Sequence, residues 1–379
     1  MVAARLNSDV FAPERCARLV VKIGSALLVG SDGEVRRDWL TGLIADIVDR
    51  REQGQEIILV SSGSVALGKR ALGLQGNPRK SLEDAQAAAA VGQITLSHNW
   101  SELLGQRNLM AALMLVTLGD LEDRRRYLNA SATLDRLLTL GAVPVVNEND
   151  SVATEAIRFG DNDRLAARIG QAGSADGVIL LSDVAGLYSA DPTKDESAEM
   201  LDEVSVIDDE IMAMAGSGSA SGMGSGGMIS KLEAAKIATS AGIPLAIVSG
   251  KRTRPLRCFA ADGVGTLFTP QKVPSAHKAW LAGRLTSKGQ IVVDSGAVEA
   301  LAGGNSLLSA GAIGISGMFE RGDVVDITDK FGTIIARGLA EYDSVSTARI
   351  VGKKTAELEA ILGYAPRSAL VHRDHLVLL

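Results

Sequence analysis

The sequence predicts an α/β protein in two parts: a three-layer sandwich around a mainly parallel sheet, followed by a small β-barrel-like domain. Apolar runs of strand length alternate with helical patterns through residues 1–250. Strands that are apolar throughout are typical of a parallel sheet covered by helices on both faces. After Pro274 the pattern changes to short strands separated by glycine turns. We therefore predict a first domain over 1–270, a connector over 271–286, a second domain over 287–367 and a C-terminal tail over 368–379.

The predicted elements of the first domain follow one another as strand and helix. Apolar runs predict strands at 19–21, 57–60, 110–116, 142–146, 178–181 and 245–248. Apolar residues with helical spacing predict helices at 39–48, 82–104, 124–140, 164–169 and 229–240. Gly54 is expected to end the first of these helices. In the second domain, strand patterns occupy 290–294, 311–316, 323–328 and 333–337.

The composition is that of a globular protein without the charge of a nucleic-acid binder. The chain has 379 residues, of which 46% are hydrophobic and 22% are charged, so it can bury ordinary cores. Its formal net charge is −6 and its pI is near 5.4. Because a nucleic-acid binder usually presents a basic field, this balance argues against that class.

The sequence predicts no membrane segment, disulfide framework or metal centre. The charged first twenty residues do not suit a signal peptide, and no apolar run reaches the length of a membrane span. Cys16 and Cys258 lack metal-ligand spacing, so we expect a reduced, cytoplasmic setting. His372 and His375 lie close together in the chain, but they have no third ligand nearby and are expected in a solvated tail.

A glycine-rich loop that leads into a helix is the most informative stretch of the chain. Residues 222–227 contain four glycines, and Lys231 follows at the start of a predicted helix. Free backbone N–H groups at such a position bind anions, and the lysine adds a positive charge, so a nucleotide phosphate is the expected ligand. The spacing is neither that of a Walker A loop nor that of a dinucleotide fingerprint. A flexible Gly/Ser linker is the alternative interpretation.

Polar residues follow the predicted strands at the points where the strands end. The carboxyl ends of parallel strands form one edge of the sheet, and ligands bind beyond that edge. Lys22 ends the first strand and can reach a phosphate that the Gly24 amide also holds. A lysine at a strand end is by itself more often solvated. As a pair, however, Lys22 and Lys231 could flank a transferring phosphoryl group.

Two polar stretches near the strand at 142–146 predict a binding site for an acceptor. Residues 147–151 are Asn-Glu-Asn-Asp-Ser, and residues 160–163 are Gly-Asp-Asn-Asp. Asp161 or Asp163 is expected to cap the next helix, but capping does not explain this density of amides and carboxylates. Such groups suit an α-amino acid, whose ammonium needs acceptors and whose carboxylate needs donors. They can also orient lysines, or waters around Mg²⁺.

Ser182 and Asp183 end the strand at 178–181 and precede a turn-forming stretch. Their position at the edge of the sheet favours a contact with the nucleotide. The alternative is that they only form the turn.

Together these stretches closely resemble the amino-acid kinase family, and in particular its members that phosphorylate L-glutamate. The matching segments are Val20-Val21-Lys22-Ile23-Gly24-Ser25, Val60-Ser61-Ser62-Gly63-Ser64, Asn147-Glu148-Asn149-Asp150, Gly160-Asp161-Asn162-Asp163, Gly186-Leu187-Tyr188 and Gly224-Ser225-Gly226-Gly227-Met228. The resemblance covers nearly the whole chain. The second predicted domain resembles the PUA domain that many bacterial members carry.

The resemblance implies transfer of phosphate from ATP to the side-chain carboxylate of L-glutamate, the first step of proline synthesis. It implies that Ser62, Asp150 and Asn162 bind glutamate, and we add Asn147 and Asp161 from the same polar stretches. The residues expected to bind ATP are Lys22, Gly24, Ser182, Asp183, Ser225, Gly226, Gly227, Met228, Ile229, Ser230 and Lys231. Two positions depart from the family pattern. Ser182 replaces a common threonine and keeps the hydroxyl, whereas Ile229 replaces a hydroxyl residue and loses it.

The charges predict how such a reaction would proceed. The side-chain carboxylate of glutamate is ionised at neutral pH and needs no general base. The difficulty is to bring it in line with another anion, and Lys22 and Lys231 would offset that repulsion while Mg²⁺ bridges the β- and γ-phosphates. Our hypothesis is that Asp163 lies between the two lysines and orients both. Lys22, Lys231 and Asp163 are therefore the predicted catalytic residues.

The resemblance also implies a homo-oligomer, either a dimer or a tetramer, and feedback inhibition by proline. A related kinase that acts on acetylglutamate, aspartate, carbamate or a nucleoside monophosphate is the nearest alternative. RNA binding through the second domain is a further alternative. Residues 275–379 hold five Lys and six Arg against six Asp and five Glu, so this part is near neutral, which disfavours RNA binding as the main role.

Overall fold

The chain divides into two compact units. The computed structural model describes residues 6–76, 81–152, 162–215, 227–270, 287–367 and 369–379. Unit 1 comprises Met1–Glu122 and Ala130–Lys272, and unit 2 comprises Asp123–Asn129 and Val273–Leu379.

An eight-stranded sheet forms the centre of unit 1. Its strands are β1 Arg18–Ile23, β2 Glu56–Ser61, β3 Ala111–Val116, β4 Val143–Glu148, β5 Gly177–Ser182, β6 Glu203–Val204, β7 Leu245–Ser249 and β8 Gly265–Phe268. The order across the sheet is β3-β4-β2-β1-β5-β7-β8-β6. Every neighbouring pair is parallel except β7 and β8. The six predicted strands are present, whereas β6 and the antiparallel β8 were not predicted.

Helices cover both faces of this sheet. The α-helices of the described residues 6–262 are α1 Leu6–Asp9, α2 Ser25–Leu28, α3 Arg37–Glu52, α4 Ser64–Ala71, α5 Leu82–Gly105, α6 Leu118–Glu122, α7 Arg124–Thr139, α8 Asn162–Ala172, α9 Asp209–Met214, α10 Met228–Ser240 and α11 Pro255–Asp262, and the start of α7, up to Asn129, belongs to unit 2. Val21 of β1 packs in one core with Trp39 and Leu40 of α3. Its neighbour Val20 is also fully buried, and because side chains alternate along a strand it faces the opposite layer. The predicted three-layer α/β architecture is confirmed.

Glycines allow α4 and α5 to approach each other closely. A Cβ atom at Gly92 of α5 would lie 1.8 Å from the carbonyl oxygen of Ser64, and one at Gly68 of α4 would lie 1.7 Å from that of Ala88. No side chain can be accommodated at such distances, so the two helices touch backbone to backbone. This packing places one face of α5 against the first turn of α4, beside the carboxyl end of β2.

The helices of the described ranges include none that is long and apolar enough to span a membrane.

Unit 2 contains a separate five-stranded sheet. Its strands are β9 Gly289–Val293, β10 Ala312–Gly317, β11 Val324–Thr328, β12 Ile334–Leu339 and β13 Leu376–Leu378, in the order β10-β9-β11-β12-β13. Only the β9–β11 pair is parallel. Among the described residues 287–379, three α-helices accompany it: α12 Ser295–Ala302, α13 Ser344–Ile350 and α14 Thr355–Leu362. The four strands predicted for this part are present.

The C-terminal residues are not the solvated tail that we expected. Strand β13 pairs with β12, and Leu370 and Val371 belong to the core of unit 2. His375 is only 5% exposed and lies 3.6 Å from the carboxylate of Glu341. The prediction failed because this short segment carries no local sign that it pairs with the edge of β12. His372 and His375 have contacting rings, but the described residues contain no cluster of three or more potential metal ligands.

Candidate active site

Several predicted site residues meet at the carboxyl edge of the unit 1 sheet. The register aligns Lys22 of β1 with Val60 of β2 and Leu180 of β5. Ser62 follows the end of β2, and Asn147 lies near the end of β4. Because these strands are parallel, their last residues reach the same edge. The strand ends therefore form the floor of the candidate site.

A carboxylate between two lysines is the central feature of the site. The Nζ atom of Lys22 lies 2.6 Å from Oδ1 of Asp163, and the Nζ atom of Lys231 lies 3.0 Å from Oδ2. The three residues come from β1, α8 and α10, and each is at most 5% exposed. Asp163 is the second residue of α8, where the helix dipole favours a negative charge. The structure thus brings the three predicted catalytic residues into direct contact.

The triad of Lys22, Asp163 and Lys231 carries an excess positive charge in a buried place. Burial by itself would raise the pKa of Asp163, but the attraction of Lys22 and Lys231 outweighs it and holds that pKa below the ordinary value. Asp163 is therefore ionised at neutral pH. Two ammonium groups against one carboxylate leave one positive charge, which makes the triad an attractive place for an anion.

Helices α8 and α10 position Asp163 and Lys231 of the triad. Leu165, Ala166 and Ile169 of α8 and Leu232, Ala234 and Ala235 of α10 are fully buried. The packing of these apolar faces positions Asp163 and Lys231 in the first turns of their helices. The polar ends point to the site because the apolar stripes lie against the sheet.

A network of amide and hydroxyl groups lies next to the triad. The Nδ2 atom of Asn162 donates to the Ser62 hydroxyl at 2.8 Å, to Asn147 Oδ1 at 3.0 Å and to the Ser61 carbonyl at 3.2 Å. Asn162 is 3% exposed and immediately precedes Asp163. Two consecutive residues of α8 therefore join the cationic triad to the amide network.

The network leaves a buried acceptor on Asn162 available for a ligand. Oδ1 of Asn162 is buried and accepts no hydrogen bond from any described residue. A buried acceptor without a donor is costly, so a bound donor would stabilise it. Asp150 is also buried, and its Oδ2 atom accepts a 3.4 Å hydrogen bond from the Ser64 hydroxyl. These groups suit a ligand with an ammonium group.

Three residues of this site were not predicted from the sequence. The Trp100 indole donates to the Ser61 hydroxyl at 2.9 Å. Gln93 accepts a 2.7 Å hydrogen bond from Nδ2 of Asn147, and Ser64 contacts both Asn147 and Asp150. Trp100 and Gln93 lie on α5, which the sequence identifies only as an Ala-rich helix. Ser64 belongs to the sequence motif at residues 60–64, but its contacts with Asn147 and Asp150 depend on how α4 packs.

The ATP-binding candidates among the described residues lie around the same edge. Gly24 donates its backbone N–H to the Leu181 carbonyl at 3.3 Å. Ser182 is buried at the end of β5 and its hydroxyl donates to Asp183, whose side chain is exposed. Gly227 caps α10, and Met228, Ile229, Ser230 and Lys231 form the first turn of that helix. Ser225, Gly226 and Asp161 lie outside the described residues.

Two family models match the chain. The amino acid kinase family matches residues 17–249, and the PUA domain matches residues 289–362. The first match contains Lys22, Asp163 and Lys231 and more than half of the chain.

Curated relatives match over the full length. Glutamate 5-kinase from Zymomonas mobilis subsp. mobilis is 62% identical over 100% of this chain and 95% of its own length. Glutamate 5-kinase from Sphingopyxis alaskensis is 60% identical over 98% of this chain and 100% of its own length. A third glutamate 5-kinase, from Novosphingobium aromaticivorans, is 57% identical over 96% of both chains. Because the family model covers more than half of the chain and these relatives are 57–62% identical to it, the chain belongs to the amino acid kinase family.

Proposed function

We propose that this protein transfers the γ-phosphoryl group of ATP to the side-chain carboxylate of L-glutamate, giving L-glutamyl 5-phosphate. The observation that carries the proposal is the buried triad of Lys22, Asp163 and Lys231 beside the amide network. The two lysines would bind the phosphates of a phosphoryl donor. The amide groups would bind the charged groups of an α-amino acid. The names of the full-length relatives support the same reaction.

The chemistry follows from the charges in the site. A carboxylate oxygen of glutamate attacks the γ-phosphorus, and the bond from that phosphorus to the β–γ bridging oxygen breaks, with its electron pair leaving on ADP. Glutamate arrives ionised, so no protein base is needed. Lys22 and Lys231 reduce the repulsion between the two anions, and Asp163 holds both ammonium groups in place. The main contribution of the protein is electrostatic preorganisation.

Mg²⁺ is proposed to enter with ATP. In the described part of the chain no cluster of three or more His, Cys, Asp or Glu side chains could form a cage for a metal ion. Both oxygens of Asp163 already contact lysines. This donor set fits the usual behaviour of Mg²⁺, which keeps most of its waters and binds mainly to substrate phosphates. When bound, the ion neutralises charge on the β- and γ-phosphates.

The amide network is proposed to bind the amino-acid end of glutamate. At neutral pH the α-ammonium is the only hydrogen-bond donor that glutamate carries, and Oδ1 of Asn162 is a buried acceptor that lacks a donor among the described residues. Ser62 and Asn147 accept hydrogen bonds from Asn162, and Asp150 joins this network through Ser64, which also contacts Asn147. Asp161 and the loop residues Ser225 and Gly226 remain candidates on the basis of the sequence.

Three further properties belong to the same proposal. L-Proline is proposed as an inhibitor, since its ammonium and carboxylate would match the groups that bind glutamate. A homo-oligomer and a cytoplasmic location, where ATP and glutamate are available, are proposed from the resemblance. Adding proline to the assay below should raise the apparent KM for glutamate if the two compete.

An assay of ADP release with Mg-ATP and a panel of acceptors tests the proposal. The panel is L-glutamate, N-acetyl-L-glutamate, L-aspartate, carbamate and UMP. Glutamate should be the preferred acceptor, and hydroxylamine should trap its acyl phosphate as a hydroxamate. Preference for another acceptor, or ADP release without trapped hydroxamate, would overturn the proposal. The Lys231→Ala variant serves as the inactive control.

A further inference from the structure

We propose that Gln93 is a positioning residue of the acceptor site, because it fixes the direction in which the Asn147 carboxamide points. The inference rests on the proposed function, since it assumes that Asn147 and Asn162 bind the acceptor. Gln93 lies on α5, 54 residues before Asn147 in the chain. Its Oε1 atom accepts a 2.7 Å hydrogen bond from Asn147 Nδ2, the shortest of those that involve Asn147.

The two polar atoms of the Asn147 carboxamide have opposite hydrogen-bonding roles. Nδ2 donates to Gln93, whereas Oδ1 accepts from Asn162 Nδ2 at 3.0 Å and from the backbone N–H of Glu148 at 2.9 Å. A carboxamide turned by 180° would place donors against both of those donors. The acceptor on Gln93 therefore secures the orientation that leaves Oδ1 of Asn147 for Asn162.

The orientation is passed on to Asn162. With Nδ2 of Asn162 engaged by Asn147, Ser62 and the Ser61 carbonyl, its Oδ1 atom becomes the group that faces a ligand. Asn162 thus donates to Asn147, and Asn147 donates to Gln93. The group of Asn162 that is left for a ligand is therefore an acceptor. An acceptor at that point matches an ammonium group, so Gln93 acts on the affinity for glutamate without touching it.

The backbone around Gln93 is held in place by helix packing. The adjacent Gly92 lies so close to α4 that its Cβ would stand 1.8 Å from the Ser64 carbonyl oxygen. Ser64 itself contributes to the network, because its hydroxyl is 3.4 Å from both Asn147 Nδ2 and Asp150 Oδ2. The α4–α5 contact therefore supplies a rigid base from which Gln93 and Ser64 orient the acceptor residues.

Three variants of the full-length protein test the inference. Gln93→Met keeps the shape and removes the acceptor, Gln93→Glu keeps the acceptor, and Gln106→Met makes the same change at an exposed position at the end of the same helix. The KM values for glutamate and for ATP, kcat and the thermal midpoint are measured for each.

Gln93→Met should raise the KM for glutamate about five- to ten-fold, the cost of one net hydrogen bond, and leave the KM for ATP within about two-fold. Gln93→Glu should restore the KM for glutamate to within about three-fold of the wild type, and Gln106→Met should change nothing. Equal rises of both KM values, or a Gln93→Glu variant as impaired as Gln93→Met, would overturn the inference. If Gln93→Met does not fold, the KM of Gln93→Glu for glutamate decides: a value more than about three-fold above that of the wild type would overturn the inference.

Failure of the proposed function would be visible separately. A wild-type protein that prefers another acceptor from the panel would refute glutamate as the substrate. The variants would then be compared with that preferred acceptor, and an acceptor that offers an N–H donor to Oδ1 of Asn162 should show the same rise in KM, because the hydrogen bonds that link Gln93 through Asn147 to Asn162 form before any acceptor binds.

Discussion

Asp163 is the residue through which the two active-site lysines are connected. It is fully buried, and each of its carboxylate oxygens contacts one ammonium group. Burial of an ion is costly unless it is well paired, so the low pKa of Asp163 reflects two close cations that compensate for the lost water. In the proposed reaction, the same contacts would hold both lysines in position before ATP binds.

Replacing Asp163 by Asn should destabilise the fold by about 3–5 kcal/mol at pH 7, because two buried ammonium groups lose their shared counter-charge. Urea denaturation measures the effect, and Asp38→Asn at an exposed site on α3 is the control. The pKa of Asp163 is lowered from 3.8 by folding. Its contribution is therefore complete above pH of about 4 and is lost as the pH falls through the lowered pKa. A difference that disappears between pH 7 and 5 would contradict this assignment.

Replacing Lys22 or Lys231 by Ala should reduce kcat about 10²- to 10³-fold, as expected for the loss of one preorganised charge. The dissociation constant for ATP should change much less, because other groups of the loop and strand ends also bind the nucleotide. Steady-state kinetics and calorimetric titration with ATP give the two quantities. Lys236→Ala, on the exposed face of α10, is the matched control. Equal losses in turnover and in ATP binding would mean that the lysines only dock the nucleotide.

The sequence was sufficient to predict that Lys22, Asp163 and Lys231 lie together, but not that Gln93 and Trp100 contact the neighbouring polar network. Lys22, Asp163 and Lys231 each follow or begin an element whose type is clear from the sequence, and a parallel sheet brings such positions together. Gln93 and Trp100 lie in the middle of a long helix, and nothing in the local pattern shows which partner they face. Their contacts depend on the approach of α4 to α5, which is a long-range property.

The contact between α4 and α5 is the element-level feature on which the acceptor site depends. Both helices carry a glycine at the closest approach, and the backbone of each occupies the space of a missing side chain. The contact therefore tolerates no methyl group without a shift of one helix. Because Ser64 and Gln93 lie on these two helices, such a shift would also disturb Asn147.

Gly92→Ala should destabilise the protein by about 2–3 kcal/mol, since the new Cβ would overlap the Ser64 carbonyl oxygen. Gly105→Ala, at the end of the same helix, meets no atom within 4 Å and should stabilise the protein by up to about 1 kcal/mol through helix propensity. Chemical denaturation of both variants checks the prediction. Equal effects at the two positions would show that α4 and α5 are not closely packed.

Element prediction failed for short strands that are ordered by their pairing partners. Strand β8 is antiparallel to β7 in a sheet that is otherwise parallel, and neither its length nor its four residues distinguish it from a loop. Strand β13 has three residues, and it is ordered by pairing with β12. In both cases the hydrogen-bonding partner, rather than the local pattern, determines the structure.

The charge of the whole protein argues against RNA as a main partner. The net charge is −6, and residues 275–379 are close to neutral. A binder of the RNA backbone gains most of its affinity from neutralising phosphates, which requires an excess of Lys and Arg. The PUA match by itself therefore does not imply that RNA is a main ligand.

The full-length protein should show no measurable affinity for a generic RNA oligonucleotide at about 150 mM salt, because it lacks a basic field. Fluorescence polarisation of a labelled RNA measures binding, and a basic RNA-binding protein is the positive control. Tight binding whose affinity falls steeply with added salt would contradict the prediction and assign the PUA-matched region a nucleic-acid role.

The direct succession of Asn162 and Asp163 in α8 limits how the protein can evolve. In the proposed reaction Asn162 contributes to recognition of the acceptor and Asp163 to activation of the donor, so a rotation of this helix start would misalign both reactants together. A lineage that changes its acceptor must therefore alter the side chains surrounding the helix start and leave the helix itself in place. In the proposed reaction, the two halves of catalysis share one helix start.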